Sequence, residues 1–163
     1  MEPLITLITV TLVLLAAGAA GVRRLRPWAV PLRGGLAAMF TLTGLAHFVG
    51  LRSDLVEMVP PVLPAPGLLV TVTGLLELAG AAGLLWRRTA GPSAAMLTAL
   101  LVVMFPANVH AELEHLAVAG EGLLLRTVLQ VVFVAATTAV VIHERRRPEP
   151  ARTATDDRVP VDA

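Results

Sequence analysis

Two ionisable side chains, Glu77 and His47, stand inside apolar stretches of the sequence. Glu77 is in the middle of the apolar run 67–86, and His47 is near the end of the run 34–51. A charge inside such a run is costly, so the residue usually has a partner or a function. A carboxyl and an imidazole can carry protons or bind a hydroxyl or carbonyl group. These two residues are therefore the first candidates for chemistry.

Glu77 is flanked at helical spacing by small residues, which predicts that its side chain points towards neighbouring helices. These residues are Thr73, Gly74, Gly80 and Ala81. One interpretation is a neutral carboxyl that only bonds a neighbouring helix and holds the bundle together. The other is a functional carboxyl that carries a proton or binds a ligand. His47 leaves a similar choice open, between an ordinary interfacial histidine and a partner of Glu77.

The segments around these two residues resemble each other. Residues 41–50 align with residues 71–80 at a shift of thirty, and the alignment places His47 opposite Glu77. On two antiparallel helices, this pattern would be an inverted repeat about a site near the middle of the membrane. Chance recurrence of small packing residues is the simpler explanation.

Further polar residues occur near the ends of the last two apolar stretches. Together with His47 and Glu77, they make up a predicted polar pocket: Asn108, His110, Arg126 and Gln130. Arg126 has two interpretations, because it can extend its side chain towards water or act as a counter-charge to Glu77 or to an anionic ligand.

Pro106 lies just before Asn108 and frees the carbonyl of Val102, which favours a kink in that helix. His110 and Glu114 are four residues apart and could share a metal ion. No third ligand has a suitable spacing, so no metal site is predicted.

A proline-rich segment, residues 58–66, separates the second and third apolar runs. Its four prolines exclude a regular helix because they remove backbone donors and fix φ. They are Pro60, Pro61, Pro64 and Pro66. We expect this segment to form a stiff apolar cap over the polar pocket on the outer side of the membrane.

The elements that position these residues are apolar helices. The chain has 163 residues, is 56% hydrophobic and 15% charged, and has a mean hydropathy of +0.77. A span of about 30 Å of hydrocarbon needs roughly 20 apolar residues. Five stretches qualify, which predicts an all-α membrane protein with five spans: 4–21, 34–51, 67–86, 94–110 and 123–142. The first is predicted to be a retained helix, because positive charge follows it and does not precede it as in a signal peptide.

The arginines predict the orientation of the spans. They cluster in alternate connections: Arg23, Arg24, Arg26, Arg33, Arg87, Arg88, Arg145, Arg146 and Arg147. The positive-inside rule places these connections in the cytoplasm and the N-terminus outside. Trp28 and Trp86 fall at the same boundaries, where indole rings favour the headgroups. The tail, 144–163, is too polar and short to fold, so we expect disorder.

Several segments together resemble the DoxX-like family of small membrane proteins. They are residues 44–48, 58–61, 63–64, 74–80 and 105–109. The resemblance covers 34–142 and implies a four-helix membrane core over 34–143, preceded by an additional transmembrane helix in 1–33. It also implies a multi-pass protein of the bacterial inner membrane, some of whose relatives are subunits of quinone-linked oxidoreductases. His47, Glu77 and Asn108 are the positions it singles out.

Three functions follow as expectations. The first is an accessory or quinone/lipid-binding subunit of a membrane oxidoreductase system, in a homo- or hetero-oligomer. The second is a small proton-coupled transporter or channel, and the third is a non-catalytic scaffold. The chain has no cysteine, so thiol chemistry is excluded, and its arginines indicate no nucleic-acid surface. A quinone is the one candidate cofactor, and catalysis by the chain alone is not expected.

Overall fold

The fold is all-helical over the residues that the computed structural model describes, 1–113 and 122–146. Six α-helices and one 3-10 turn at Arg23–Leu25 make up this part of the chain. The helices are α1 (Glu2–Ala19), α2 (Ala29–Ala46), α3 (Arg52–Glu57), α4 (Pro66–Leu85), α5 (Ala90–Leu113) and α6 (Leu123–Arg145). All but α3 are long and apolar enough to cross a membrane, as the sequence predicts.

The outer faces of the long helices are apolar. In α1 and in α6, only 11% of the residues in the most apolar stretch are buried within the chain. Leu124 and Val103, for example, are 80% and 73% exposed. A protein in water buries such side chains, so these surfaces suit lipid or another apolar partner.

Helix α2 begins and ends five residues earlier than its apolar run predicts. Its first turn contains Pro31, and proline is tolerated at that position of a helix. Arg33 lies inside the helix and is buried within the protein, whereas the sequence placed it in the connection. It ends at Ala46, with His47 as the C-cap. Gly50 then adopts a φ of +80°, a conformation that turns the chain away from the helix.

The helices pack around α2. Contacts join α2 to α4, α4 to α5, α5 to α6, and α6 back to α2, while α1 lies against α2. The core of this arrangement contains Leu36, Phe40, Leu84 and Leu97, each at most 1% exposed. The residues 34–46 of α2 therefore have neighbours on most sides, which makes α2 the central helix.

The connection between α2 and α4 contains α3, a short helix that was not predicted from the sequence. Residues 58–65 after it form no helix, as their prolines require. The Arg52 guanidinium holds the connection in place, because it donates to the carbonyls of His47 at 3.2 Å and Gly67 at 3.3 Å. It also donates to the hydroxyl of Thr71 at 3.0 Å.

Helix α5 continues through Pro106, which lies inside it and is exposed. Helix α6 extends to Arg145, so the first residues of the predicted tail, including Glu144, are helical. The rest of that tail, 147–163, lies outside the described residues.

The two ends of the helix bundle differ in charge. One end, which we call the arginine end, carries Arg23, Arg24, Arg26, Arg33, Arg87, Arg88, Arg145 and Arg146. The other, which we call the cavity end, carries only Arg52 and Arg126 among the described residues. At the arginine end, Arg33 and Glu144 form an ion pair at 3.5 Å, with side chains 5% and 9% exposed. Arg33 Nε also donates to the carbonyl of Leu84 at 2.7 Å.

Candidate functional site

A cavity of about 400 Å³ lies between the helices at the cavity end. Its wall is mostly apolar, with side chains from α2, α5 and α6 such as Met39, Leu101 and Phe133. Polar groups line it as well: Thr43, His47, Glu77, Asn108 and Gln130. A mostly apolar cavity with a few convergent polar groups, in this size range, is the usual form of a small-molecule site.

Glu77 is the buried acid of this cavity. It lies eleven residues after the start of α4 and eight before its end, and it is 5% exposed. The Thr43 hydroxyl on α2 donates to Glu77 Oε2 at 2.6 Å. The carboxyl is thus held by a hydroxyl of the neighbouring helix, and no arginine pairs with it among the described residues.

His47 lines the same cavity, one helical turn after Thr43. Its ring is 4% exposed, and Nδ1 lies 2.9 Å from the carbonyl oxygen of Thr43. A carbonyl only accepts hydrogen bonds, so this contact requires the proton on Nδ1. In the neutral ring, Nε2 is then an acceptor for a ligand.

Two glycines bring α2 and α4 together around these side chains. A Cβ on Gly74 would lie 2.6 Å from Cβ of His47, and one on Gly44 would lie 3.3 Å from Cβ of Glu77. Gly44 aligns with Gly74, and His47 aligns with Glu77, at the shift of thirty residues. The contacts are therefore reciprocal, as an inverted repeat of the two helices requires.

Asn108 and Gln130 form the α5 and α6 sides of the cavity. Arg126 does not line it, but its Nη1 donates to Asn108 Oδ1 at 3.4 Å, which leaves the Asn108 amide NH₂ as a donor. The Gln130 amide donates to the carbonyl of Leu101 and so links α6 to α5.

The remaining predicted residues lie elsewhere. His110 belongs to α5 but does not line the cavity, and Pro106 lies on the exposed side of α5. The cap prolines do not line it either: Pro60, Pro61, Pro64 and Pro66. Glu114, the possible metal partner of His110, lies outside the described residues. Within those residues, no group of three histidines or acids could hold a metal.

Other residues close the cavity where the prolines were expected to do so. They are Leu51 and Leu55, beside and in α3, and Glu2 and Pro3, at the start of α1. Neither these residues nor Thr43 were predicted from the sequence to belong to the site. The spacing of Thr43 one turn before His47 was the available signal for its role.

Comparisons with known proteins give one match. No curated protein and no solved structure matches the chain. Residues 36–141, which extend from α2 to α6 and leave out α1, match a protein family. The match covers more than half of the chain, and the chain therefore belongs to the family described as a domain of unknown function, DUF8561.

Proposed function

We propose that this protein is a multi-pass protein of the bacterial inner membrane that binds the head of a quinone in its cavity. In this proposal it is an accessory subunit of a membrane oxidoreductase system. The observation that carries the proposal is that a buried carboxyl, Glu77, and a buried imidazole, His47, line one mostly apolar cavity between helices.

The polar groups of the cavity suit a quinone head. A quinone carbonyl accepts hydrogen bonds, and a quinol hydroxyl donates them, so a site for both needs donors and acceptors. The Asn108 amide supplies a donor, whereas Glu77 and neutral His47 Nε2 supply acceptors. The quinone itself supplies the redox chemistry, and the chain's residues bind and orient it.

The resemblance to the DoxX-like family supports the same function. The segments in which this sequence resembles that family include residues 44–48, 74–80 and 105–109. These segments contain His47, Glu77 and Asn108. Some relatives in that family are subunits of quinone-linked oxidoreductases, which motivates the search for an oxidoreductase partner.

We further propose that the arginine end faces the cytoplasm and that the N-terminus lies outside. The unequal distribution of arginines between the two ends supports this orientation. The chain contains no cysteine, so single cysteines can be introduced without other changes. We expect a membrane-impermeant maleimide to label Ser53→Cys in spheroplasts, and Thr89→Cys only after lysis. The reverse pattern would contradict the orientation.

The binding proposal is tested by quinone retention and affinity. The tagged full chain is purified in mild detergent, and its lipids and partner proteins are identified by mass spectrometry. Short-tailed benzoquinone and naphthoquinone are then titrated by calorimetry. We expect Glu77→Gln and His47→Ala each to weaken binding about 3–10-fold, because one hydrogen bond contributes roughly 0.5–1.5 kcal/mol net.

Glu57→Gln is the matched control, since it removes the same charge from the exposed surface of α3. It should leave the quinone affinity unchanged. A wild-type protein that neither retains nor binds a quinone would rule out the proposal, as would equal binding by Glu77→Gln.

A proton-coupled transporter is the second candidate, and the reciprocal packing of α2 and α4 favours it. Inverted repeats commonly surround transport sites near the membrane midplane, and Glu77 lies in the middle of α4. In proteoliposomes, this function predicts proton flux that Glu77→Gln abolishes and Glu57→Gln does not. Absence of flux from the wild-type protein, across a panel of candidate solutes, would exclude it.

A further inference from the structure

A second pocket lies at the arginine end, far from the cavity. It has a volume of about 350 Å³ and is formed by the connection between α4 and α5, the start of α5 and the end of α6. Arg87, Arg88 and Arg145 surround it, and Ala95 and Val141 belong to its apolar wall. The pocket is therefore cationic at its edge and apolar towards the helices.

The acid in this pocket is paired with a buried arginine of another helix. Glu144 lines the pocket, but its carboxylate is paired with the buried Arg33 at 3.5 Å. The side chains of Arg87, Arg88 and Arg145 are exposed and have no ion-pair partner within the described residues. Three exposed arginines thus lie at the edge of the pocket, where an external anion can reach them.

Exposed tryptophans mark the height of the pocket in the bilayer. Trp86 directly precedes Arg87 and is 64% exposed, and Trp28, at the same end, is 50% exposed. Trp28 also packs edge-on against His143, with ring centroids 5.0 Å apart. Exposed tryptophans at helix ends favour the headgroup region, so the three arginines lie at the level of lipid phosphates.

We propose that this pocket binds the phosphodiester headgroup of an anionic phospholipid. The guanidinium group of an arginine can donate two parallel hydrogen bonds to phosphate oxygens. A basic pocket between transmembrane helices is a suitable site for an anionic headgroup. The apolar wall at Ala95 and Val141 lies where the start of an acyl chain would follow the phosphate. This wall favours a lipid over free inorganic phosphate, which has no apolar part.

The test compares headgroups on the intact protein. The full chain is placed in nanodiscs of phosphatidylcholine with increasing phosphatidylglycerol, and lipid enrichment around the protein is measured by native mass spectrometry. We expect preferential retention of phosphatidylglycerol. The triple variant R87Q/R88Q/R145Q should reduce that preference about 10–100-fold, because the loss of a charge-assisted hydrogen bond to the phosphate weakens binding by roughly that factor.

The triple variant R23Q/R24Q/R26Q is the matched control, because it removes three exposed arginines from the same end of the bundle. Pocket binding predicts that it retains the preference, and an equal loss in both variants would overturn the proposal in favour of general charge attraction. Inorganic phosphate is the third arm. Binding of phosphate as tightly as the lipid would overturn the assignment to a lipid, whereas weak competition supports it.

Discussion

The two ends of the helix bundle bury ionisable groups in opposite ways. At the arginine end, Arg33 has a buried acid, Glu144, and a backbone carbonyl as partners. At the cavity end, the described residues give Glu77 one side-chain hydrogen-bond donor, the Thr43 hydroxyl of α2, and Glu77 lines the cavity together with His47. Both acids have buried side chains and line a pocket, but among the described residues Glu144 has an arginine in contact and Glu77 does not.

This difference distinguishes a buried charge that stabilises the fold from a buried acid that can bind a ligand. A buried charge with an opposite charge in contact is already compensated within the fold, so it has little left to offer a ligand. A buried acid beside a cavity retains hydrogen-bonding capacity that a ligand can use. We therefore propose a structural role for the Arg33–Glu144 pair and a binding role for Glu77 and His47.

The largest expected effect on stability comes from removing the ion pair between Arg33 and Glu144. Arg33→Met should lower the free energy of unfolding by about 3–5 kcal/mol, because the buried Glu144 carboxylate would lose its contact with the guanidinium of Arg33. The double variant R33M/E144M should recover most of this loss. Unfolding in mixed micelles measures both, and Arg26→Met on the exposed surface is the control. If the double variant is no better than the single, the bond to the Leu84 carbonyl contributes more than the ion pair.

A smaller decrease in the free energy of unfolding is expected when a substitution pushes α2 and α4 apart beside the cavity. Gly74→Ala would place its Cβ 2.6 Å from Cβ of His47, so the helices must shift, at a cost of about 1–3 kcal/mol. Gly67→Ala, also in α4, meets nothing within 4 Å and should change stability by less than about 0.5 kcal/mol. Equal stability of the two variants would contradict the close packing.

The smallest effect concerns the hydroxyl that holds Glu77. Thr43→Val removes the donor to Glu77 Oε2 and should cost about 0.6 kcal/mol, the typical value for a hydrogen bond between membrane helices. Thr73→Val is the matched control, because the Thr73 hydroxyl bonds only carbonyls of its own helix. A double-mutant cycle with Glu77→Gln measures the coupling. A value of several kcal/mol would mean that Glu77, like Arg33, is mainly structural.

The sequence predicted the helices better than their ends and contacts. Each of the five long helices overlaps with an apolar run, because a membrane span needs a minimum apolar length. The run 34–51 predicted α2 five residues too late in the chain. A charged residue such as Arg33 is assigned to a connection unless its buried partner is known. Helix α3 is too short to give a periodic signal.

Part of the cavity was also predictable. The small residues around Glu77 indicated that it packs against another helix, and the repeat at a shift of thirty paired its segment with that of His47. The closing residues Leu51 and Leu55 could not be predicted, because nothing local distinguishes them from other apolar residues.

The sequence by itself therefore determined how many apolar helices form and how arginine is divided between the two ends. Only the tertiary structure decided that Glu77 and His47 share a cavity and that Arg33 meets Glu144. The physical reason is that hydropathy is a local property of each segment, whereas a contact depends on how each helix is rotated about its axis. In a helix that is apolar on all sides, the sequence carries little information about which face turns inward.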